Sequence, residues 1–180
     1  MHLLFGASTG GGVRLTAGDD AIRLIVAGLG NRARGDDGIG VHLVESMRYT
    51  LPPGVEGVVW EGADAYTLAQ ELIERERPVL FVDCAQIGGA PGTSRWWAEA
   101  TANMVLSAEG NSTHGLTLGD GIDLARGLGF GQPLYFFGVQ PASIGHSLHL
   151  SREVREAYAV LEQSLLSTID ALLISIEREH

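Results

Sequence analysis

Apolar positions along the chain fall into two alternating patterns, which are short continuous runs and segments of helical periodicity. Five runs have the length of strands: Ile22–Ala27, Val55–Trp60, Val79–Val82, Thr93–Ala98 and Leu134–Val139. Four segments repeat apolar residues at helical spacing: Asp37–Tyr49, Ala65–Arg77, Leu116–Leu128 and a long C-terminal segment that begins after Ser151. Three of the runs are almost entirely apolar, as is typical of strands covered on both faces. The alternation predicts an α/β fold, a three-layer α/β/α sandwich with a mostly parallel five-stranded sheet.

Composition and charge narrow the class of protein further. A chain of 180 residues, 45% hydrophobic and 19% charged, is long enough for one complete core. The Gly-rich residues 1–20 lack the features of a signal peptide, so we expect a flexible leader there and a single domain over residues 21–180. No apolar stretch approaches the roughly 20 residues that span a membrane. The net charge of −10 argues against a nucleic-acid partner, and the single cysteine agrees with a cytoplasmic location.

The segment after the first predicted strand combines a glycine-rich turn with two adjacent carboxylates. The sequence GLG at 28–30 leads into a predicted helix, and a helix N-terminus normally binds an anion. Here Asp36 and Asp37 already place negative charge at that position, which suits a cation better than a phosphate. Asp83 directly follows another apolar strand, and the carboxyl ends of parallel strands meet at one edge of a sheet. We therefore expect Asp37 and Asp83 to lie close together.

His114 adds a third candidate ligand from a polar loop before the third predicted helix. Two carboxylates and an imidazole suit a divalent borderline metal and leave coordination positions open for a substrate. Three of these polar residues also have a structural interpretation: Asp36 as a helix N-cap, Asp83 as a chain turn and His114 as an exposed loop residue. Asp37 is less easily explained in this way, because one N-cap is usually enough. Cys84 is interpreted as a small core residue. Three other histidines are interpreted as parts of a helix face or as surface and packing residues: His42, His146 and His149.

The chain resembles the hydrogenase maturation endopeptidases in four motifs: GLGN at 28–31, GDDGIG at 35–40, VDCA at 82–85 and STHGL at 112–116. Members of this family remove a C-terminal extension from the large-subunit precursor of nickel–iron hydrogenases, after nickel has been inserted. The resemblance implies an α/β/α sandwich and a metal-dependent endopeptidase. It also implies that Asp37, Asp83 and His114 are both the metal ligands and the catalytic residues. The nickel would be carried by the precursor, and other divalent metals would fit the same site.

One turn departs from the family pattern. Where the family commonly has Asp-Gly-Gly-Thr after the second strand, this chain has EGAD at 61–64. If that turn positions the substrate tail, the departure changes which group of hydrogenases is recognised.

The hydrolytic mechanism stays open at this point, since either the metal or a carboxylate with a bound water could assist cleavage of the peptide bond.

Three other functions fit part of the same sequence. A dinucleotide-binding, Rossmann-like protein would use GLGNRA at 28–33 and Glu61, but Glu61 lies 31 residues beyond Gly30, where about 20 are expected. Asp36 and Asp37 would also face the pyrophosphate.

Peptidyl-tRNA hydrolase begins with a strand and GLGN too, but its motif continues with Pro-Gly, and its catalytic His-Asn pair has no counterpart in this sequence. A metal-binding chaperone that holds the precursor without cutting it would have the same ligands.

Overall fold

The computed structural model describes residues 22–99 and 118–178. Strands and helices follow one another in this order: β1 (Leu24–Gly28), α1 (Ile39–Met47), β2 (Val55–Val59), α2 (Ala65–Arg75), β3 (Val79–Cys84), β4 (Ser94–Ala98), α3 (Leu118–Gly127), β5 (Leu134–Val139) and α4 (Arg152–Arg178). A short 3₁₀ turn, Asp36–Gly38, precedes α1, so the first predicted helix is divided in two. The predicted leader, residues 1–20, lies outside the described residues, and the division into a leader and one domain stays a prediction.

The five strands form one sheet in the order β2-β1-β3-β5-β4. Neighbouring strands are parallel except at one edge, where β4 pairs antiparallel with β5. Successive residues of β1 point to opposite faces: Leu24 and Val26 pack with α1 and α4, whereas Ile25 and Ala27 pack with α2 and α3. Within the described residues, two helices therefore cover each face of the sheet. This arrangement confirms the predicted α/β/α sandwich with a mostly parallel five-stranded sheet.

Helix α4 is 27 residues long and, by length and composition alone, apolar enough to cross a membrane, contrary to our expectation from the sequence. In the fold, one side of the helix packs in the core cluster that also contains α1. The packed residues recur at helical spacing: Val154, Leu161, Leu165, Ile169, Leu172 and Ile176. The apolar residues on that side of α4 are therefore buried in the core, whereas Val160 and Ile174 of the same helix are exposed.

Candidate active site

A cleft of about 270 Å³ opens at the carboxyl ends of β1, β2 and β3. Asp37 and Asp83 both line it, so the structure brings two of the three predicted site residues to one place. Other lining residues come from the turns after β1 and β2 and from the starts of α2 and α3, among them Leu29, Arg34, Trp60, Asp64 and Leu118. The position is the one that parallel α/β sheets generally use to bind ligands.

His114 lies outside the described residues, so its place relative to the cleft stays a prediction. Within residues 22–99 and 118–178, no group of three or more His, Cys, Asp or Glu side chains could hold a metal ion. The described part of the cleft supplies the carboxylates of Asp37 and Asp83, and a third ligand would come from His114 or from the substrate. The roles of all three residues as ligands and catalysts remain predictions.

Two glycines, one in the GLGN motif and one in the GDDGIG motif, lie where two backbone segments pack too closely for a side chain. Gly40, in α1, lies so near the end of β3 that a Cβ atom there would be 2.0 Å from the Val82 carbonyl oxygen. A Cβ atom on Gly30 would be 1.8 Å from the Asp37 carbonyl oxygen, and the φ of 113° at Gly30 also favours glycine. This packing places the Asp37 turn against the strand that carries Asp83. It also fills the space beside the Gly30 α-carbon with protein backbone, which argues against the dinucleotide-binding alternative.

Asp36 does not cap the helix that follows it, so that interpretation of the sequence is wrong. Its side chain is fully buried, and its carboxylate accepts three backbone N–H groups: those of Ala142 (2.9 Å), Ser143 (3.0 Å) and Ser151 (2.7 Å). Burial alone would raise the pKa of Asp36, but these hydrogen bonds to the charged form hold the pKa below its ordinary value. Because the donors lie 106 to 115 residues further along the chain, no local pattern marks them.

Asp37 is half-buried in the cleft, which the exposed Arg34 also lines. Burial raises the pKa of Asp37, and the positive charge of Arg34 and a hydrogen bond from the Asn31 backbone lower it only in part. The carboxyl group therefore keeps its proton to a higher pH than an ordinary aspartate does. Such a group is suited to exchange a proton with a reacting molecule.

In the metal-free protein, the Asp37 carboxyl group should titrate above the ordinary aspartate pKa. Arg34→Ala should move that pKa higher still, because the variant loses a positive charge that favours the ionised form. Carbon-13 NMR of the carboxyl group measures both values. Arg178→Ala, at the far end of α4, is the matched control and should leave the Asp37 pKa unchanged. An Asp37 pKa at or below the ordinary value in the wild-type protein would contradict the prediction.

The EGAD turn at 61–64 is bound to the GLGN turn across one side of the cleft. Glu61 accepts the backbone N–H of Arg32 at 2.9 Å and the Arg32 Nε at 3.0 Å, and the Gly62 N–H donates to the Gly30 carbonyl at 3.2 Å. Both carboxylate oxygens of Glu61 are thus engaged by Arg32, which argues against the ribose-binding role that the dinucleotide alternative requires. Sequence reasoning missed Arg32, because a charge pair 29 residues apart leaves no local signal.

Two further carboxylates of the cleft, Asp64 and Asp83, have different surroundings. Asp64 is the N-cap of α2 and accepts the Thr67 N–H at 2.8 Å. Asp83 belongs to β3, is half-buried, and accepts the Cys84 N–H on its Oδ1 at 2.7 Å. Cys84 itself packs partly buried against the core cluster of α1 and α4, in agreement with its structural interpretation. Asp64 therefore has a helix-capping role, whereas Asp83 is held at the cleft by a central strand.

The other three histidines of the described chain do not line the cleft. His42 lies on α1, as interpreted from the sequence, and burial together with the nearby charge of Arg32 lowers its pKa. His146 and His149 are exposed in the loop before α4. Their positions agree with the interpretation of these residues as helix-face and surface residues.

Comparisons with known proteins identify the relatives of this chain. Residues 41–168 match the family model for hydrogenase maturation proteases. The hydrogenase expression/formation protein HupM of Azotobacter chroococcum mcd 1 is 30% identical over 124 residues, which are 67% of this chain and 58% of HupM. The hydrogenase 2 maturation protease of Escherichia coli (strain K12) is 29% identical over 154 residues, 84% of this chain and 91% of that protein. The chain thus spans less than two thirds of HupM and nearly all of the E. coli protease.

A solved structure extends the likeness to the fold. The solution structure of an endopeptidase from Escherichia coli is similar with a TM-score of 0.67 and 26% identity, covering 81% of this chain and 91% of that one. The family match begins at Val41. The matched segment therefore includes Asp83 but not Asp36 and Asp37. The positions of Asp36 and Asp37 relative to the cleft are known from the structure of this chain and not from the family match.

Proposed function

Because this chain belongs to the hydrogenase maturation protease family, we propose that it is an endopeptidase that removes the C-terminal extension from the large-subunit precursor of a nickel–iron hydrogenase. The observation that carries the proposal is the convergence of Asp37 and Asp83 on one cleft at the carboxyl ends of β1 and β3. The partner is a protein, so neither a nucleic acid nor a membrane is required. Processing would take place in the cytoplasm, where we expect the protein from its single cysteine.

The cleft would recognise the nickel that the precursor already carries. Asp37, Asp83 and His114 form a ligand set for a borderline divalent metal and would leave positions open for ligands from the precursor. Leu118, which lines the cleft, follows His114 by four residues, so the two α-carbons are at most about 14 Å apart. The nickel is then part of the substrate, and other divalent metals would bind to the same ligands.

Hydrolysis adds water to the scissile carbonyl carbon, breaks the C–N bond and delivers one proton to the leaving amine. Nickel beside that bond would polarise the carbonyl group. The Asp37 carboxylate, which lines the cleft, would be suited to take the proton from the attacking water and to pass it to the amine nitrogen. Asp83 projects from a central strand, a rigid element that would hold the metal at a constant place.

Incubation of the nickel-loaded precursor with this protein should release a C-terminal peptide, detected as a loss of intact mass. The matched control is the same precursor without nickel, which should keep its full mass because the metal supplies part of the binding site. Cleavage regardless of nickel would contradict recognition of the metal.

No shortening of a precursor that is shown to contain nickel would contradict the protease assignment. Stable binding without cleavage would then favour the chaperone alternative, since its ligands would be the same. The site assignment is wrong if Asp37→Asn, Asp83→Asn and His114→Ala each leave processing unchanged.

A further inference from the structure

We propose that Asp36 is a positioning residue that directs Asp37 towards the cleft, an inference that rests on the proposed function. The two carboxylates are neighbours in a 3₁₀ turn, where successive side chains point about 120° apart. Asp36 is fully buried, whereas Asp37 lines the cleft. One carboxylate therefore anchors the turn, and the other faces the substrate.

The anchor of Asp36 consists of three backbone amides on a distant segment of the chain. Its Oδ2 accepts the N–H groups of Ala142 at 2.9 Å and Ser143 at 3.0 Å, and its Oδ1 accepts that of Ser151 at 2.7 Å. Ser151 directly precedes α4, and its Oγ accepts the Val154 N–H at 3.3 Å. The Asp36 carboxylate thus ties the turn before α1 to the start of α4.

Backbone hydrogen bonds hold the same two segments together over several residues. Four such bonds join them: Gly35 N–H to Ser147 O (2.8 Å), Asp36 N–H to Ser143 O (3.2 Å), Ser147 N–H to Ala33 O (3.2 Å) and Gly145 N–H to Arg34 O (3.3 Å). On the other side of the turn, the Asn31 N–H donates to the Asp37 carbonyl at 3.3 Å. The Asp37 backbone is therefore held from both sides, which restricts the directions of its side chain.

Asp36→Asn tests the inference with little change of size. Asparagine replaces one carboxylate oxygen by an NH₂ group, which would face backbone N–H groups and leave them without an acceptor. Glu56→Gln is the matched control, because Glu56 is also buried and pairs with Arg75 at 3.0 Å near the start of β2, away from the cleft. Both variants lose a buried charge interaction, but only the first lies beside Asp37.

For the nickel-loaded precursor, we expect kcat to fall about 10- to 100-fold in Asp36→Asn, with KM unchanged within about twofold. Losses of this size are typical for residues that orient a metal ligand without contacting the metal. Glu56→Gln should keep the wild-type kcat at a temperature where circular dichroism shows both variants folded. Hydrogen exchange gives a readout without precursor. The amides of Asn31 and Gly38, which bond within the turn, should exchange faster in Asp36→Asn only.

A wild-type kcat in folded Asp36→Asn, or equal losses in both variants, would overturn the positioning role. If Asp36→Asn does not fold, Ala142→Pro removes one of the three donors and should lower kcat in the same direction by a smaller factor. Failure of the wild-type protein to cut the precursor would contradict the proposed function instead. The exchange rates then decide the inference: faster exchange of Asn31 and Gly38 confined to Asp36→Asn supports it, and unchanged exchange overturns it.

Discussion

Replacing Asp37 by asparagine is expected to abolish precursor processing while the fold stays intact. The variant keeps the shape of the side chain but loses the charge that would bind the metal and the site that would take a proton from water. Residues that only orient a metal ligand through hydrogen bonds typically contribute about 10- to 100-fold to activity. We therefore expect the rate to fall by about 100-fold or more when Asp37, a proposed ligand, is replaced. The measurement is the rate of C-terminal peptide release from nickel-loaded precursor, and Asp83→Asn should behave in the same way.

The matched control for this prediction is Asp64→Asn. Asp64 lines the same cleft, but its carboxylate accepts the Thr67 N–H as the N-cap of α2, and asparagine is an equally good N-cap. We therefore expect nearly wild-type processing from Asp64→Asn. If Asp37→Asn and Asp64→Asn lose activity equally, the loss is caused by the change in total charge of the cleft and not by a specific role of Asp37. Retention of processing by folded Asp37→Asn would show that this carboxylate is not required.

Gly40→Ala is expected to cause a large loss of stability. The added methyl group would lie 2.0 Å from the Val82 carbonyl oxygen and 2.7 Å from that of Leu29, and both contacts are with backbone rather than with a flexible side chain. The start of α1 would have to move away from the ends of β1 and β3. Overpacking commonly costs about 1–3 kcal/mol and occasionally more, and we expect a loss of about 3 kcal/mol or more in the free energy of unfolding. Urea denaturation measures it.

Gly127→Ala provides the opposite case in the same chain. Nothing lies within 4 Å of a Cβ atom at Gly127, the last residue of α3, so the substitution meets no contact. Because alanine favours helix more than glycine does, we expect a change between zero and about 1 kcal/mol in favour of the folded state. Equal stabilities of Gly40→Ala and Gly127→Ala would contradict the close approach of α1 to the sheet.

The elements of the fold could be predicted from the sequence because burial is repeated along consecutive residues. The residues 79–82 of β3 are all buried, and they form a continuous apolar run in the sequence. In helix α4, the buried residues are likewise the apolar residues that recur at helical spacing in the sequence. The common location of Asp37 and Asp83 followed from a general property of parallel sheets, whose strands end at the same edge.

Contacts between distant segments could not be predicted in this way. The pairing of Arg32 with Glu61 joins residues 29 positions apart, and the Asp36 carboxylate binds amides more than 100 positions away. The wrong assignment of Asp36 as a helix cap arose because capping is the common local use of an aspartate before a helix. Its actual partners are backbone N–H groups, which every residue except proline carries and which have no signature in a sequence.

By itself, the sequence determined the α/β alternation, the glycine motifs and the presence of two adjacent carboxylates before α1, because each of these is a property of neighbouring residues. The sequence also favoured Asp37 as the site residue, but only the tertiary structure shows what holds Asp36 away from the cleft. Asp36 and Asp37 have the same chemistry, and the 3₁₀ turn separates their directions by about 120°. The amides of a loop more than 100 residues away then select the direction that is buried, which leaves Asp37 in the cleft.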